Sequence, residues 1–600
     1  MLTGALVARA APGTFVPYVV ITLASGALPV ATAWLMKLII DDLVAGAPAG
    51  RLVGLAAGLA AAGVVAGVVP QATAYLRTEL DRTVGLVAKE RLFTAVDTFT
   101  GLARFEDPDF LDRLRLAQQN GGASPNEAVD GALGLCRAAL AMLGFLVSLF
   151  VLAPLMAVLV LVSGVPVLIA EIAMSRRRAR MIWKIGPVER RELFYLGLLS
   201  SVAAAKEVRL FGIGGFLRER MLGERRAADS ARRAMDRRDL GVQTGLGLLS
   251  ALVSGGGLLW AVHSARAGTL SVGDISMFVA GVAGTQSALG TAAGEVARTH
   301  QALLMFEHYL AVTTAGPDLS VPPRPRALPP LSDGIELHDV WFRYSDAHPW
   351  VLRGISLRIP RGGTLALVGL NGAGKSTLVK LLCRFYDPTR GTIRWDGMDI
   401  RHVEVAALRE RISAVFQDYT EYDMTARENI ALGDLAALDD RTRITTAAVR
   451  AGIHGPLTAL PDGYDTLLTR MFFTTSDRDD PVTGVVPSGG QWQRLALARA
   501  FLRDRRDLMI LDEPSAGLDA AAEHEIHRSL SRYRSGQTSL LISHRLGAVR
   551  DADRIVVLSE GHIVEQGDHA TLMTAGGEYA RLFTLQASGY RAEPAAGETR

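Results

Sequence analysis

The sequence predicts a chain of two domains, in which an all-α domain of six transmembrane helices precedes an α/β domain built on a largely parallel sheet. Long uncharged apolar runs lie in the front half of the chain. A proline-rich stretch follows, and behind it short apolar strands alternate with amphipathic helical patterns. The predicted boundaries are 1–312 for the membrane domain, 313–333 for a linker, 334–587 for the α/β domain and 588–600 for a polar tail.

Composition excludes two broad classes of protein. Hydrophobic residues make up 49% and charged residues 21% of the 600 residues, whereas a disordered chain combines low hydrophobicity with high net charge. The two cysteines, Cys136 and Cys383, are too few to stabilise a chain of this length by disulfide bonds, so the protein is not a disulfide scaffold. So low a cysteine content is typical of a reducing compartment. The net charge of +3 averages a very uneven distribution of charges, so it says little about partners.

Uncharged runs predict the membrane spans. Residues 10–36 and 52–76 each exceed the roughly 20 residues that a helix needs to cross a hydrocarbon core about 30 Å thick. Residues 138–170 are too many for one span and contain Pro154, which favours a tight hairpin of two helices. The remaining predicted spans are the runs 240–262 and 275–294. Buried helices of soluble proteins and signal peptides have much shorter apolar runs, so neither alternative fits.

Arginine and lysine are concentrated in two long segments, 77–126 and 176–238, that connect predicted spans. The positive-inside rule places these segments, both termini and the α/β domain on the cytoplasmic side of the cytoplasmic membrane. Membrane lipid accounts for the basic residues, which therefore indicate no nucleic-acid partner. Because compact proteins rarely contain unstructured loops of this length, we expect helices that run on beyond the bilayer and reach another domain.

A phosphate-binding motif follows the first strands of the α/β domain. Residues 364–368 read as a buried strand, 369–376 read G-x-x-x-x-G-K-S, and a helical pattern follows. In this context the pattern is typical of a P-loop, in which backbone N–H groups and a helix N-terminus bind phosphate oxygens. Lys375 is expected to reach the β- and γ-phosphates, and Ser376 to place its hydroxyl on Mg²⁺. A glycine turn without a ligand is the alternative interpretation.

Two further motifs lie downstream of the P-loop. The apolar stretch 508–511 runs into Asp512 and Glu513. In a P-loop fold, the first carboxylate can hold hydrated Mg²⁺ and the second can orient the water that attacks the γ-phosphate. Ser488 begins a Ser-Gly-Gly-Gln turn at the start of a helical pattern, where bare N–H groups can bind a second phosphate. The ordinary alternative for the acids and for Ser488 is helix capping.

Together these motifs resemble those of the ATP-binding cassette (ABC) superfamily, specifically the exporter-type half-transporters that fuse a six-helix membrane domain to one nucleotide-binding domain. The resemblance implies that Ser488 begins the family signature and that Asp519 lies in the D-loop. It also implies that His544 is the switch histidine, Gln417 the Q-loop glutamine and Tyr344 the aromatic residue that stacks on adenine.

The resemblance assigns further roles to residues of the nucleotide site. Catalysis is expected from Glu513, His544 and Lys375, and Mg²⁺ binding from Ser376, Gln417 and Asp512. The expected contacts to ATP are Tyr344, Gly369, Asn371, Gly372, Gly374, Lys375, Ser376, Thr377 and Gln417. The expected contacts to the ATP held by a second chain are Ser488, Gly489, Gly490 and Gln491.

The membrane half carries a shorter resemblance. Residues 206–212 are similar to the segment near the second coupling helix of family exporters, which implies coupling roles for Glu207, Arg209 and Phe211. The chain departs from the family pattern at Pro487, where leucine is usual, and over 471–486. Proline is tolerable before a helix because no backbone N–H is needed there, so the signature is expected to bind ATP. The family segment that corresponds to 471–486 is thought to signal between the nucleotide sites and the coupling helices, so the unusual sequence here is expected to alter that coupling.

The resemblance implies an ATP hydrolase that couples ATP binding by a homodimer, or by a heterodimer with another half-transporter, to transport. Because the predicted spans are nearly free of charge, the expected cargo is a hydrophobic or amphipathic small molecule, lipid or peptide. Three alternatives remain open: a soluble cassette ATPase, an ATP-gated regulatory membrane protein, and an importer of a siderophore-like ligand on the same fold.

Overall fold

The computed structural model describes residues 2–152, 154–320, 322–471, 484–503, 506–514, 530, 536–543 and 545–588. It divides the chain into two compact units. The first unit comprises residues 1–97 and 108–315, and the second comprises residues 98–107 and 316–600. A short segment from the front half of the chain therefore belongs to the second unit.

The first unit is helical throughout its described elements. Its helices α1 to α10 span, in order, Leu2–Ala10, Pro12–Ala24, Leu28–Val44, Ala49–Asp97, Pro108–Asn120, Ser124–Leu152, Pro154–Ser200, Val202–Leu210, Gly214–Arg266 and Val272–Thr313. Among the described residues, four stretches are long and apolar enough to cross a membrane: Pro12–Val44, Ala49–Asp97, Ser124–Leu152 and Gly214–Arg266. The predicted run 138–170 extends from α6 into α7, and the run 275–294 lies within α10.

Four helices are much longer than a membrane crossing requires. α4, α7, α9 and α10 contain 49, 47, 53 and 42 residues. At 1.5 Å per residue α9 is about 80 Å long, against a hydrocarbon thickness of about 30 Å. Beyond its apolar run, α4 buries Leu80, Val84, Ala88 and Leu92 at intervals of four residues. The two long basic segments are therefore largely helical.

The run predicted as the first span contains a turn. α2 ends at Ala24 and α3 begins at Leu28. Pro29 lies in the first turn of α3, where a backbone N–H would have no hydrogen-bond partner within the helix, so proline is tolerated there. Gly26 lies between the two helices, and a Cβ there would lie 2.9 Å from the carbonyl oxygen of Arg137. The close approach of α6 therefore requires glycine in this turn.

Small residues let α10 approach α6 closely. A Cβ on Gly281 would lie 2.9 Å from the side chain of Leu149, and one on Gly284 would lie 2.2 Å from the ring of Phe145. Both contacts are closer than side-chain atoms tolerate, so neither position accepts a larger residue without movement. These two glycines thus serve helix packing, as small residues do in membrane proteins.

The second unit contains two sheets. Their strands β1 to β10 span, in order, Gly334–Phe342, Leu352–Pro360, Thr364–Val368, Arg390–Trp395, Met398–Asp399, Ile412–Val415, Leu508–Asp512, Thr538–Ile542, Arg554–Ser559 and His562–Gly567. The smaller sheet is antiparallel, in the order β2-β1-β4-β5. The larger sheet has the order β10-β9-β3-β8-β7-β6 and is parallel from β9 to β6.

The larger sheet forms the core of the second unit. The helices α11 to α16 of the second unit are Lys375–Leu382, Val405–Glu410, Ala426–Ala431, Arg441–Arg450, His454–Thr458 and Gly489–Leu502. Three more helices follow in the chain: Leu546–Val549, His569–Ala575 and Glu578–Ser588. Every residue of β7 and β8 is buried, as expected for a parallel sheet covered on both faces. Because parallel strands end at one edge, the loops after β3, β6 and β7 meet there.

Candidate functional site

The loop between β3 and α11 has the backbone that the P-loop pattern predicts. Gly374 immediately precedes α11 with a φ of 101°, and a Cβ there would lie 2.6 Å from the side chain of Leu352. Gly369 has a φ of 153°, and a Cβ there would lie 2.2 Å from the carbonyl oxygen of Leu558. Only glycine fits both positions, so the sequence builds a loop whose N–H groups can surround a phosphate.

Lys375 begins α11 and folds its side chain back over this loop. Its Nζ donates hydrogen bonds to the carbonyl oxygens of Gly369 at 2.8 Å and Leu370 at 3.0 Å. Burial lowers the pKa of Lys375, and the nearby carboxylates of Glu513 and Asp512 oppose that effect. The ammonium group is therefore held in place at the loop, where a phosphate would add a favourable charge partner.

Asp512 ends β7 and is 5% exposed. Burial raises its pKa to about 6; the Ser376 hydroxyl, which donates a hydrogen bond to the carboxylate, works in the opposite direction, while Glu513 raises the pKa further. A buried carboxylate beside a hydroxyl is a pair of hard oxygen donors, which is the ligand chemistry that Mg²⁺ prefers. The residues present therefore fit the predicted Mg²⁺ site.

Glu513 follows β7 in a left-handed backbone conformation, with a φ of 51°. Its N–H donates to the carbonyl oxygen of Ile542, and its own carbonyl accepts a hydrogen bond from Gln493 of α16 at 3.4 Å. Such a conformation is uncommon for a residue other than glycine and is held here by neighbours on two elements. The strand end thus fixes the direction in which the chain leaves the sheet beside Lys375.

Gln417 and Tyr344 reach the same region from other strands. Val415 of β6 pairs with Leu511 of β7, so Gln417 lies two residues beyond this pair, as Glu513 does on β7. Tyr344 follows β1, is 38% exposed, and its hydroxyl lies 3.2 Å from the Thr377 Oγ1 of α11. The structure therefore places both predicted residues near the loops that surround the P-loop.

Ser488 caps α16 in the described structure. Its hydroxyl accepts a hydrogen bond from the Gln491 N–H at 3.4 Å, and the Gln491 side chain accepts one from the Ser488 N–H at 2.8 Å. A Cβ on Gly489 would meet no atom within 4 Å, so this turn is open to a ligand. The ordinary capping interpretation is therefore correct for Ser488, and it leaves the N–H groups at the turn accessible for the predicted phosphate contact.

Several predicted residues lie elsewhere. Asp519, His544 and residues 472–483 lie outside the described residues. Glu207 and Arg209 lie on α8 and Phe211 follows it; all three are exposed and belong to the first unit. Their coupling roles therefore remain predictions.

A cavity of about 790 Å³ in the first unit was missed at the sequence level. Five charged residues line it: Arg77, Asp130, Arg137, Glu295 and Arg298. The sequence did hold a signal, because all five flank the uncharged runs 52–76, 138–170 and 275–294. Charges next to several apolar runs meet at one level when the helices that contain those runs pack side by side.

Ion pairs and a tyrosine fix the acids of this cavity. The Asp130 carboxylate lies 2.7 Å from the Nε of Arg77 and accepts a hydrogen bond from the Tyr18 hydroxyl at 2.6 Å. Glu295 lies 3.6 Å from Arg298. The side chains of both acids are nearly buried, whereas those of Arg77 and Arg298 are 43% and 52% exposed. The cavity thus presents guanidinium groups, with the acids beneath them.

Comparison with known proteins finds a family match within the second unit. The family model for the ABC transporter domain matches residues 352–516. An ATP-dependent lipid A-core flippase of Alkalilimnicola ehrlichii is 38% identical over 321 residues, which cover 54% of this chain and 52% of that protein. A cyclolysin secretion/processing ATP-binding protein of Bordetella pertussis is 43% identical over 260 residues, which cover 43% of this chain and 34% of that protein. The chain thus spans about half the length, or less, of these curated relatives.

The fold has a close counterpart among solved structures. A bacterial Atm1-family ABC exporter with ATP bound superposes with a TM-score of 0.82, over 97% of this chain and 100% of that chain. The two sequences are 22% identical. This likeness covers both units and confirms the predicted fold class, a helical domain followed by an α/β domain.

Proposed function

Because the chain carries an ABC transporter domain behind a unit of long apolar helices and has the fold of an ABC exporter, we propose that it is an ATP-driven exporter of the cytoplasmic membrane. The observation that carries this proposal is the cluster of Lys375, Ser376 and Asp512 at one edge of the sheet, in which Lys375 and Asp512 are buried. A soluble cassette ATPase would need the same cluster but not four stretches long and apolar enough to cross a membrane.

The second unit supplies the groups that ATP hydrolysis requires. The N–H groups of the P-loop and Lys375 bind the phosphates, and Tyr344 stacks on adenine. Ser376, Gln417 and Asp512 would hold Mg²⁺, which would supply positive charge to the phosphate oxygens. Glu513 orients the attacking water and accepts its proton, since it adjoins Asp512 at the end of β7.

Two copies of the second unit complete the site in this proposal. The turn at Ser488 contributes N–H groups to the ATP bound at the P-loop of the other chain, as the family signature does. The partner is a second copy of this chain or another half-transporter. Closure of the two nucleotide sites on ATP, followed by reopening after hydrolysis, drives alternating access in the membrane helices, with Glu207, Arg209 and Phe211 in coupling roles.

The cavity of the first unit supports an amphipathic cargo among the predicted classes. Its wall includes Leu28, Val69 and Phe145, which suit an apolar body, while Arg77 and Arg298 keep exposed donors. Charged side chains inside a membrane protein usually mark a ligand or ion pathway. A cargo with both an apolar body and a polar group fits this lining better than a hydrocarbon does.

The test uses the purified full-length protein and its Glu513→Gln variant. Loss of the group that activates water lowers steady-state ATPase about 100-fold or more, while ATP binding persists. The matched control is Glu410→Gln, which removes an exposed carboxylate at the end of α12. Unchanged ATPase in Glu513→Gln contradicts the assignment of the catalytic base.

Transport direction is tested in inside-out vesicles with a panel of amphipathic compounds. Export predicts ATP-dependent accumulation with the wild-type protein and none with Glu513→Gln. Accumulation only in right-side-out vesicles indicates an importer. ATP turnover that moves no compound, in either orientation and across the panel, favours the gating alternative.

A further inference from the structure

Residues 98–107, here called the docking segment, connect α4 to α5 in the chain but belong to the second unit. Backbone contacts hold it there: the Gly101 N–H donates to the Asp318 carboxylate at 2.9 Å, and the Leu102 N–H donates to the Phe385 carbonyl oxygen at 3.1 Å. Arg409 also donates to the carbonyl oxygen of Thr100. The docking segment therefore fits a defined position on the second unit.

Glu106 makes the side-chain contacts at the end of this segment. Its carboxylate accepts a hydrogen bond from Lys380 Nζ at 2.6 Å and another from the Tyr386 hydroxyl. Lys380 lies on α11, the helix that begins at the P-loop lysine, and Tyr386 follows that helix. A carboxylate from the front half of the chain thus binds two side chains next to the nucleotide site.

The same two side chains contact Tyr344. The ring of Tyr344 lies edge-on to that of Tyr386, with centroids 5.4 Å apart, and edge-on to that of Phe342 at 5.0 Å. The Nζ of Lys380 lies 5.3 Å from the centroid of the Tyr344 ring. Two aromatic rings and one ammonium group therefore fix the orientation of the residue that stacks on adenine in the proposed function.

Charge strengthens the contact with Glu106. Burial alone would raise the pKa of Glu106, but the hydrogen bonds from Lys380 and Tyr386 outweigh it, so the pKa lies below its usual value. Burial and the bond to Glu106 both raise the pKa of Tyr386, which keeps its hydroxyl as the donor. At neutral pH Glu106 is therefore an ionised carboxylate. The hydrogen bonds that it accepts from Lys380 and Tyr386 are charge-assisted, and such bonds are stronger than those between neutral groups.

We propose that Glu106 is a positioning residue for adenine binding, which acts on Tyr344 through Tyr386 and Lys380. The effect is reciprocal, so bound ATP also stabilises the docking segment on the second unit. This inference rests on the proposed function, because it requires that ATP binds with its base at Tyr344.

The test compares Glu106→Gln with Asp107→Asn in the full-length protein. Both variants remove one negative charge at adjacent positions of the docking segment, but only the first replaces one of the two oxygens that accept hydrogen bonds from Lys380 and Tyr386 by an NH₂ group, which donates. Equilibrium binding of ATP is measured together with that of ribose triphosphate, which has no base. We expect Glu106→Gln to weaken ATP binding about three- to tenfold and to leave ribose triphosphate binding unchanged.

A double-mutant cycle with Tyr344→Ala separates positioning from a general structural role. Loss of the stacking ring weakens ATP binding about tenfold or more. If Glu106 acts through Tyr344, then adding Glu106→Gln to Tyr344→Ala produces no further loss. Additive losses, or equal losses for both ligands, overturn the proposal.

The outcomes also separate this inference from the proposed function. If the wild-type protein binds and hydrolyses ATP but Glu106→Gln behaves as Asp107→Asn does, only the positioning role is wrong. If the wild-type protein binds no ATP, both are wrong. A larger effect on ATP than on ribose triphosphate, absent in the Tyr344→Ala background, supports the positioning role.

Discussion

Replacing Asp512 by asparagine is expected to stabilise the nucleotide-free protein while abolishing its ATPase. The pKa of Asp512 is raised to about 6 from a reference of 3.8, chiefly by burial. The folded protein therefore binds a proton more tightly than the unfolded chain does. Below about pH 4 the carboxyl group is protonated in both states and does not affect the free energy of unfolding. As the pH rises to about 6 the group lowers the free energy of unfolding progressively, and above about pH 6 this destabilisation has nearly its full value.

The size of the effect follows from the two pKa values. A difference of about two pKa units corresponds to about 3 kcal/mol at pH 8 and to about 1.5 kcal/mol at pH 5. Asparagine keeps an oxygen that can accept the Ser376 hydrogen bond but carries no charge to bury. We therefore expect the Asp512→Asn variant to be more stable than the wild type, by the larger amount at pH 8.

Thermal unfolding of the nucleotide-free, full-length protein at pH 5 and pH 8 measures this difference. For a domain of this size, about 3 kcal/mol corresponds to a rise in Tm of about 5 to 10 °C. The control is Asp439→Asn, because the side chain of Asp439 is 99% exposed and its charge is already in water. A variant that is less stable than the wild type, or a difference that does not grow between pH 5 and pH 8, would refute the reasoning.

Three further predictions concern the other parts of the chain. Arg384 is fully buried and bonded to Asp387 and the Val403 carbonyl oxygen, so Arg384→Met is expected to lower the stability of the second unit by about 3 kcal/mol or more, and an unchanged Tm contradicts this. Gly284→Ala should lower the thermal stability of the first unit by about 1 to 3 kcal/mol, because its Cβ would overlap the Phe145 ring; unfolding at the wild-type temperature contradicts this. Arg137→Gln should slow vesicle uptake of anionic amphiphiles more than that of neutral ones, and equal effects on both contradict a role for the cavity charge.

The strand and helix starts around the candidate nucleotide site were predictable because their motifs are local. The predicted strand 364–368 is β3, α11 begins at Lys375, and α16 begins directly after Ser488. Glycines at 369 and 374 have no substitute where φ is positive and a Cβ would clash, so the pattern and the backbone carry the same information. The predicted coupling residues had no comparable local signal.

Contacts between distant parts of the chain could not be predicted in the same way. Glu106 and Tyr386 are 280 residues apart, and neither belongs to a recognisable pattern. The charges of the cavity were visible beside the apolar runs, but the runs do not reveal which helices lie together. The turn at Gly26 was not predicted, because an uncharged run does not show where a helix is interrupted. The contact between Gly26 and Arg137, which requires glycine in this turn, is visible only in the structure.

The assignment of residues 98–107 to the second unit affects how that unit can be studied by itself. A fragment excised at Gly316 would retain the P-loop but lose the strip of chain that covers Phe385 and binds Tyr386. The exposed surface would include apolar atoms that are shielded in the intact chain, which favours aggregation. Nucleotide affinities measured on such a fragment would then describe a looser adenine pocket than the one the whole polypeptide presents.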